Sequence, residues 1–280
     1  ASLAKIDSLS RLKTHIRQAL ATAAPAAFAQ KTLDRKGETQ ALPAREGDCH
    51  ELLGDFRLGE WMGWYSDEIA FGDKPLMGDP LLSDDGRNIL AFQQGKASSR
   101  SLALNLPGAL RSPTFTIEFD SLLVRAAGEQ AVIRVIVDNF QLIQWPIFGY
   151  LQQDVKDPRM REYRFHLADL KGQKAYVEFL PGTHEVRKGE SGNLRHRFRQ
   201  PENAWIEAEY ALLFEDQAPD MRLAIAPAAD PARALADWAK GEASAAQVAL
   251  LNDLLRSGQL DRSAAPAAAL IDRYRQLAAA

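Results

Sequence analysis

Cysteine is almost missing from this sequence, because Cys49 is the one cysteine in 280 residues. A single cysteine cannot form an intrachain disulfide. The dipeptide Cys49-His50 would suggest covalent haem attachment only with another cysteine three positions earlier, and Glu46 stands there. The sequence therefore predicts no haem in this chain.

Long apolar runs and a charge surplus are also lacking. No run of about 18 apolar residues is present, so no membrane-spanning helix is predicted. The net charge is −3, whereas a nucleic-acid partner would need a basic surplus or a clustered basic face. Residues 1–30 lack the charged-then-apolar order of a signal peptide. Because the chain begins at Ala1 rather than Met, we expect a mature or excised piece, with any export signal outside it.

Motifs of common catalytic and nucleotide-binding sites are absent too. The sequence contains no Gly-x-Ser-x-Gly, no phosphate loop and no dinucleotide fingerprint. Its five histidines are scattered without zinc-ligand spacing. No catalytic residue is predicted, and the preferred interpretation is a non-enzyme. A glycosidase with two carboxylates stays open, since any two of many acidic residues can meet in the folded chain.

What the sequence does have is strand alternation, clearest in residues 111–143. Phe115, Ile117 and Phe119 alternate with polar residues, which places them on one face of a strand. Residues 132–138 form a second strand, apolar enough on both faces to lie inside a sheet. Gly128 lies in the connector, residues 126–130, where a turn is expected.

Further strands are predicted on both sides of this pair, at residues 88–92, 101–106, 163–167, 175–179 and 205–214. In the last strand, alternation places one set of side chains inward: Ile206, Ala208, Tyr210, Leu212 and Phe214. About eight strands with turn signals between them predict a mainly β protein with flanking α-helices, in which residues 52–215 form an antiparallel two-sheet β-sandwich or jelly roll. Residues 31–51 are predicted to be a linker, and residues 181–203 a long polar insertion.

Helical patterns occupy the two ends of the chain. Within residues 1–30, an apolar stripe through Leu9, Leu12 and Ile16 predicts a helix over residues 3–23. Within residues 227–280, cap signals and apolar stripes predict helices over residues 231–240, 245–256 and 264–278. An amphipathic helix needs a partner for its apolar face. We therefore expect the N- and C-terminal helices to form one small bundle, with the sandwich inserted between them.

Four segments carry a resemblance to a known family: residues 112–117 (SPTFTI), 133–143 (IRVIVDNFQLI), 146–149 (PIFG) and 165–170 (FHLADL). Over residues 52–215 the chain resembles the β-sandwich region of large planctomycete multidomain proteins that carry c-type cytochrome domains. The later strands are similar to those of galactose-binding-like sandwiches. The resemblance implies a location in the periplasm or at the cell surface, a polysaccharide-related setting and other domains of a parent protein as partners. Electron transfer would belong to another part of that parent.

A ligand site is expected on the outer face of the predicted sheet. Four polar side chains share that face by alternation, and two aromatic residues of the neighbouring loop supply a platform for a sugar: Arg134, Asp138, Tyr176, Glu178, Trp145 and Tyr150. The alternative interpretation is a solvated face with aromatic residues in the core.

Two carboxylates of the last predicted strand, Glu207 and Glu209, lie where related sandwiches often hold a structural calcium ion, and they are the predicted metal ligands. The competing interpretation is that they are ordinary solvated carboxylates. As a whole, the sequence favours a non-catalytic carbohydrate-binding module that recognises a polysaccharide or glycan. The alternatives are a structural adaptor that docks neighbouring domains of its parent and, with less support, a polysaccharide-acting enzyme.

Overall fold

The computed structural model describes residues 3–24, 39–41, 50–104, 106–138, 148–188 and 194–279. Four helices are present in these ranges: α1 (Leu3–Ala23), α2 (Pro231–Lys240), α3 (Ala245–Arg256) and α4 (Ala268–Ala279). None of the described helices is both long enough and apolar enough to cross a bilayer.

Seventeen described strands lie between α1 and α2: β1 (Thr39–Ala41), β2 (His50–Asp55), β3 (Tyr65–Ser66), β4 (Pro80–Leu82), β5 (Ile89–Phe92), β6 (Ala97–Ser98), β7 (Leu110–Arg111), β8 (Phe115–Thr116), β9 (Ser121–Glu129), β10 (Ala131–Val137), β11 (Gln152–Val155), β12 (Arg161–His166), β13 (Lys174–Leu180), β14 (Thr183–Lys188), β15 (Leu194–Arg199), β16 (Trp205–Phe214) and β17 (Leu223–Ile225).

Two antiparallel sheets form the sandwich. One is six-stranded in the order β11-β10-β13-β7-β3, with β8 also paired to β13. The other is five-stranded in the order β12-β9-β16-β2, with β6 also paired to β16. Ile133, Val135 and Phe179 of the first sheet join Val124 and Ile206 of the second in one buried core. The predicted mainly β fold with a two-sheet antiparallel sandwich is confirmed.

The turn predicted at residues 126–130 is shorter than expected and lies at the last of these residues. Strand β9 continues to Glu129, and the chain reverses at Gln130, whose φ is 48°. Strands β9 and β10 then belong to different sheets, so the chain crosses the sandwich at this point. Gly128 is not part of a turn; it allows the backbone of β9 to lie close to the backbone of β16. A Cβ atom at this position would lie 2.6 Å from the carbonyl oxygen of Trp205.

The predicted strand at residues 101–106 is wrong over its described residues, 101–104 and 106. The hydroxyl of Tyr274 in α4 donates to the carbonyl oxygen of Leu102 at 2.6 Å. The hydrogen-bond partner of the Leu102 carbonyl group is therefore a helix side chain and not a neighbouring strand. Strand β5 forms within the predicted residues 88–92, but it pairs with β4 outside the two main sheets.

Strand β16 contains a β-bulge, and the residues on one face of the strand belong to different apolar clusters before and after it. In its pairing with β9, Ala208 lies opposite Ala126 and Tyr210 lies opposite Arg125, so Glu209 is an extra residue. Beyond this bulge the side-chain faces are exchanged. Ala211 and Leu213 face the sandwich core, and the residues predicted to point inward form a separate outer cluster with Leu123: Tyr210, Leu212 and Phe214. The prediction held for Ile206 and Ala208 and failed after the bulge.

Helix ends follow the predicted cap signals. The Asp230 side chain accepts a hydrogen bond from the Arg233 N–H at 3.0 Å, and Pro231 occupies the first position of α2. Ser244 and Gln247 form a reciprocal capping box at the start of α3. Helix α4 begins at Ala268, after a 3₁₀ turn at Ala265–Ala267, and so starts later than predicted.

The terminal helices form the predicted bundle. Helix α1 packs against α2 and α4. A second buried core contains Ile16 and Leu20 of α1 together with α-helical residues from the other end of the chain: Trp238, Val248, Leu251, Leu255 and Ile271.

The hairpin β4–β5 extends this helical core, because Ile89 and Phe92 are buried in it. The Phe92 and Trp238 rings lie 4.9 Å apart in an edge-to-face arrangement. The Trp238 indole N–H donates to the Gly78 carbonyl oxygen at 2.6 Å. Residues within the predicted sandwich range, 52–215, thus also support the helices.

Two predicted irregular regions contain strands. Within residues 31–51, β1 pairs with β17 and β2 begins at His50. Within residues 181–203, β14 and β15 form an antiparallel hairpin. Cys49 and Trp145 lie outside the described residues.

We predict that Leu12→Asp destabilises the protein by about 3–5 kcal/mol, because it places a carboxylate at a position that is 6% exposed. Urea unfolding should show this loss, and hydrogen exchange should speed up in α1 and in α2 and α4, which pack against it. Leu3→Asp is the matched control, since Leu3 is 80% exposed and its change should stay within about 0.5 kcal/mol. Equal stability of the two variants would contradict the packing of α1 in the bundle.

Candidate functional site

The predicted ligand residues of β10 and β13 share one face of the six-stranded sheet. In the register of these strands, Arg134 lies opposite Glu178, and Ile136 lies opposite Tyr176. Asp138 directly follows β10 with a φ of 46° and lines one recess with Tyr176.

Arg134 and Glu178 do not present free groups on this face, because they form a buried ion pair. Glu178 is 2% exposed and accepts a hydrogen bond from Arg134 Nε at 3.0 Å. Its second carboxylate oxygen accepts from Arg111 at 2.8 Å, and Arg111 also pairs with Asp67 at 2.9 Å. The ligand-binding role of Arg134 and Glu178 stays a prediction, and in the structure both side chains are buried in an ion pair. Alternation gives the face of a residue and leaves its burial undetermined.

The other predicted ligand residues that the structure describes, Asp138, Tyr150 and Tyr176, are more accessible. Asp138 and Tyr176 line a recess of about 220 Å³, and Asp138 is exposed. Tyr150 is 47% exposed, and its ring lies 6.5 Å from that of Phe148. Tyr150 does not line the recess. The described residues thus give two separate features on this side of the molecule and not one joint sugar site.

The donors around Glu207 and Glu209 do not fit a calcium site. Glu207 is buried and contacts Lys96 Nζ at 2.6 Å and Arg100 Nε at 3.0 Å. Glu209 accepts from Arg125 Nε at 2.7 Å. Calcium takes six to eight oxygen ligands, and no group of three His, Cys, Asp or Glu residues within the described ranges is arranged to hold a metal. Calcium binding stays a prediction that the geometry of these two carboxylates does not support.

A groove of about 490 Å³ lies on the outer face of the five-stranded sheet. The sequence predicted no glycan site there, and of the groove's residues only Glu209 was singled out, as a metal ligand. Strands β9, β12 and β16 form its base, and the segment before β17 forms one wall. Its lining is Arg57, Gln94, Leu123, Arg125, Glu162, Glu209, Tyr210 and residues 218–223.

Arg125 organises the charges in this groove. Its guanidinium lies 2.7 Å from a Glu209 oxygen and 4.0 Å from a Glu162 oxygen. Burial works against the charged form of Arg125, but the hydrogen bond and charge of Glu209 raise its pKa above the usual value. The groove therefore holds a fixed cation between two carboxylates.

Tyr210 lies beneath a second guanidinium in the groove. The Arg57 Cζ atom is 4.8 Å from the centroid of the Tyr210 ring, and Asp55 pairs with Arg57 at 2.7 Å. Burial raises the pKa of the Tyr210 hydroxyl, which stays protonated at neutral pH. The Tyr210 ring thus forms a cation–π contact with the Arg57 guanidinium.

The bulge at Glu209 explains why this groove was missed. Uninterrupted alternation turns Tyr210 into the core, whereas the extra residue brings Tyr210 and Glu209 to the outer surface. One signal was present in the sequence: Arg125 is the one basic residue within the apolar run of residues 121–128. A single charge in such a strand needs a partner, and the neighbouring strands provide it.

We predict that Glu207→Gln lowers the free energy of unfolding at neutral pH by about 1–3 kcal/mol. Burial would raise the pKa of Glu207, but Lys96 and Arg100 lower it below its reference value of 4.5. A depressed carboxyl pKa stabilises the folded state above the reference pKa, and this contribution is lost as the pH falls through the folded-state pKa. The difference between variant and wild type in urea unfolding should therefore shrink under strongly acidic conditions.

Asp154→Asn is the control for this experiment, because Asp154 pairs with Lys156 at an exposed position. Its effect should stay within about 0.5 kcal/mol. A Glu207→Gln deficit that is the same at every pH would show that shape, and not charge, accounts for the loss.

No family model and no curated protein matches the chain at sequence level. Among similar solved structures, a mutant of a family 29 carbohydrate binding module is 11% identical, with 62% of this chain and 99% of that chain covered and a TM-score of 0.33. The module TmCBM61, in complex with β-1,4-galactotriose, is 9% identical, with coverages of 59% and 99% and a TM-score of 0.30. A family two carbohydrate esterase from Cellvibrio japonicus is 15% identical and has a TM-score of 0.25; the match covers 59% of this chain and 37% of the esterase. At these TM-scores the likeness carries no argument, and the sandwich assignment rests on the chain's own strand pairing.

Proposed function

We propose that this chain is a non-catalytic module that binds a neutral, hydroxyl-rich glycan in the groove on the outer face of the five-stranded sheet. The observation that carries the proposal is the balance of charges along the groove. Three guanidiniums and three carboxylates line it: Arg57, Arg125, Arg222, Glu162, Glu209 and Asp220.

This lining matches the chemistry of sugar hydroxyls, which both donate and accept hydrogen bonds. Guanidiniums present several N–H donors in a fixed plane, and ionised carboxylates only accept. The volume of about 490 Å³ lies within the range of small-molecule sites. Equal numbers of positive and negative groups give no net attraction for a polyanion. A neutral oligosaccharide is therefore a better match than an acidic one.

The charges in the groove favour binding over hydrolysis. A glycosidase places two carboxyl groups on either side of the scissile glycosidic bond. Arg125 lies between Glu162 and Glu209 and forms ion pairs with both, so a cation occupies the space between these two carboxylates. We therefore expect no release of reducing ends from a bound glycan.

A structural adaptor is the second candidate, because buried contacts join the helices to the sandwich. Trp238 of α2 bonds to Gly78, and Tyr274 of α4 bonds to Leu102. These contacts would hold the sandwich at a fixed angle to neighbouring domains of a parent protein. A planctomycete parent with a cytochrome domain, and a location in the periplasm or at the cell surface, belong to this proposal as well.

The proposal is tested first on an array of neutral and acidic glycans and then by affinity gel electrophoresis with the glycans retained. Glu162→Gln should weaken binding of a neutral glycan about tenfold, because it removes a charged acceptor from the groove. Glu202→Gln is the matched control, since Glu202 is exposed and lies outside the groove.

The position of the site is checked with Tyr150→Ala on the other side of the sandwich. Tyr150 is exposed, so its loss should leave both stability and glycan binding unchanged. Loss of binding in Tyr150→Ala together with full binding in Glu162→Gln would move the site to the six-stranded sheet. Absence of binding to every neutral glycan would overturn the proposal and favour the adaptor.

A further inference from the structure

A second cavity lies where the helical bundle meets the sandwich, and it shares no lining residue with the groove. Its volume is about 290 Å³. Helices α1 and α4 line one side, the hairpin β4–β5 with its flanking residues lines another, and the sandwich closes the third. The polar lining residues are Lys13, Arg17, Asp79, Gln93, Arg100, Ser101, Glu207, Tyr274 and Arg275.

Positive charge exceeds negative charge around this cavity. Asp79 accepts from two cations of α1, Lys13 at 2.5 Å and Arg17. Burial alone would raise the pKa of Asp79, but these two cations lower it. Two positive charges therefore share one carboxylate.

The arrangement repeats on the sandwich side, where Lys96 and Arg100 both contact Glu207. Arg275 is the fourth cation that lines the cavity, and it has no carboxylate within ion-pairing distance among the described residues. Side chains of Lys13, Arg17 and Lys96 are at most 20% exposed. Excess charge in a partly buried place is costly unless a counter-ion accompanies it.

Two residues that line the cavity each have one buried polar atom without a hydrogen-bond partner within the described part of the chain, namely Arg17 Nε and Gln93 Oε1. Buried polar atoms are normally satisfied by protein, water or a ligand. Arg17 Nε is a donor suited to an oxyanion. The Gln93 amide can turn to present its NH₂ group, because the two ends of an amide are close to isosteric.

We propose that this cavity binds a small oxyanion, a molecule with a phosphate or carboxylate group, between α1, α4 and the sandwich. The anionic group accepts hydrogen bonds from the Arg17 side of the cavity and is neutralised by Arg275 and Arg100. Bound there, the anion contacts both the helical bundle and the sandwich and stabilises their junction. This site is independent of the glycan groove, so either can fail without the other.

The test is isothermal titration calorimetry of the whole chain with inorganic phosphate, and separately with glucuronate, at constant ionic strength maintained with sodium chloride. Arg275→Ala removes one cation from an exposed side chain of α4, so the fold should be kept. Arg273→Ala is the matched control, because Arg273 lies on the same helix, is exposed and does not line the cavity.

Saturable binding of at least one anion to the wild type and the Arg273→Ala variant, weakened about tenfold in the Arg275→Ala variant, is the expected result. Binding of phosphate alone or of glucuronate alone identifies which anionic group the cavity takes. Absence of saturable binding to both, or equal affinity in all three proteins, would overturn the proposal. A melting temperature that rises with the anion more in wild type than in Arg275→Ala gives an independent readout.

Discussion

The need to compensate buried charge governs how the helices and the sandwich are joined. Asp79 lies before β4, and it is held by two cations one turn apart on α1. Removing Asp79 would leave two cations without a counter-charge at the junction, so the helix and the loop keep one relative position. The same requirement pairs Glu207 with Lys96 and Arg100, and Glu178 with Arg111 and Arg134. These polar clusters lie beside the apolar cores and determine which elements meet.

One extra residue in β16 determines which side chains of this strand point to the outer face of the five-stranded sheet. Before the bulge, Ile206 and Ala208 belong to the core between the sheets; after it, Ala211 and Leu213 take over that role. The exchange turns larger side chains toward the other surface, where they are buried with Leu52 and Met221 packed against them. Tyr210, the first of these side chains, lines the groove. A sheet surface that would otherwise be an ordinary solvated face therefore acquires a concave, charged site.

Much of the fold followed from the sequence, because strand alternation, helical stripes and cap residues are local signals. The bounds of α1, α2 and β16 were predicted closely, and Asp230 and Ser244 mark helix starts by chemistry that acts within a few residues. The groove was not predicted, because it depends on a bulge and on the partners that Arg125 finds on other strands. Burial of Arg134 and Glu178 is likewise a tertiary property. A period of two assigns these residues to a face but does not reveal what covers it.

The packing of α1 against α4 has a consequence for protein engineering. Ile6 near one end of the described chain, and Leu277 and Ala278 near the other, pack against the same apolar cluster. Helix ends held so near each other can be joined by a short peptide without spanning the molecule. The new N- and C-termini can then be placed at the exposed turn around Gly172, where an added side chain would meet open space. A circularly permuted variant whose chain begins in the sandwich would therefore keep every contact among the helices of the bundle.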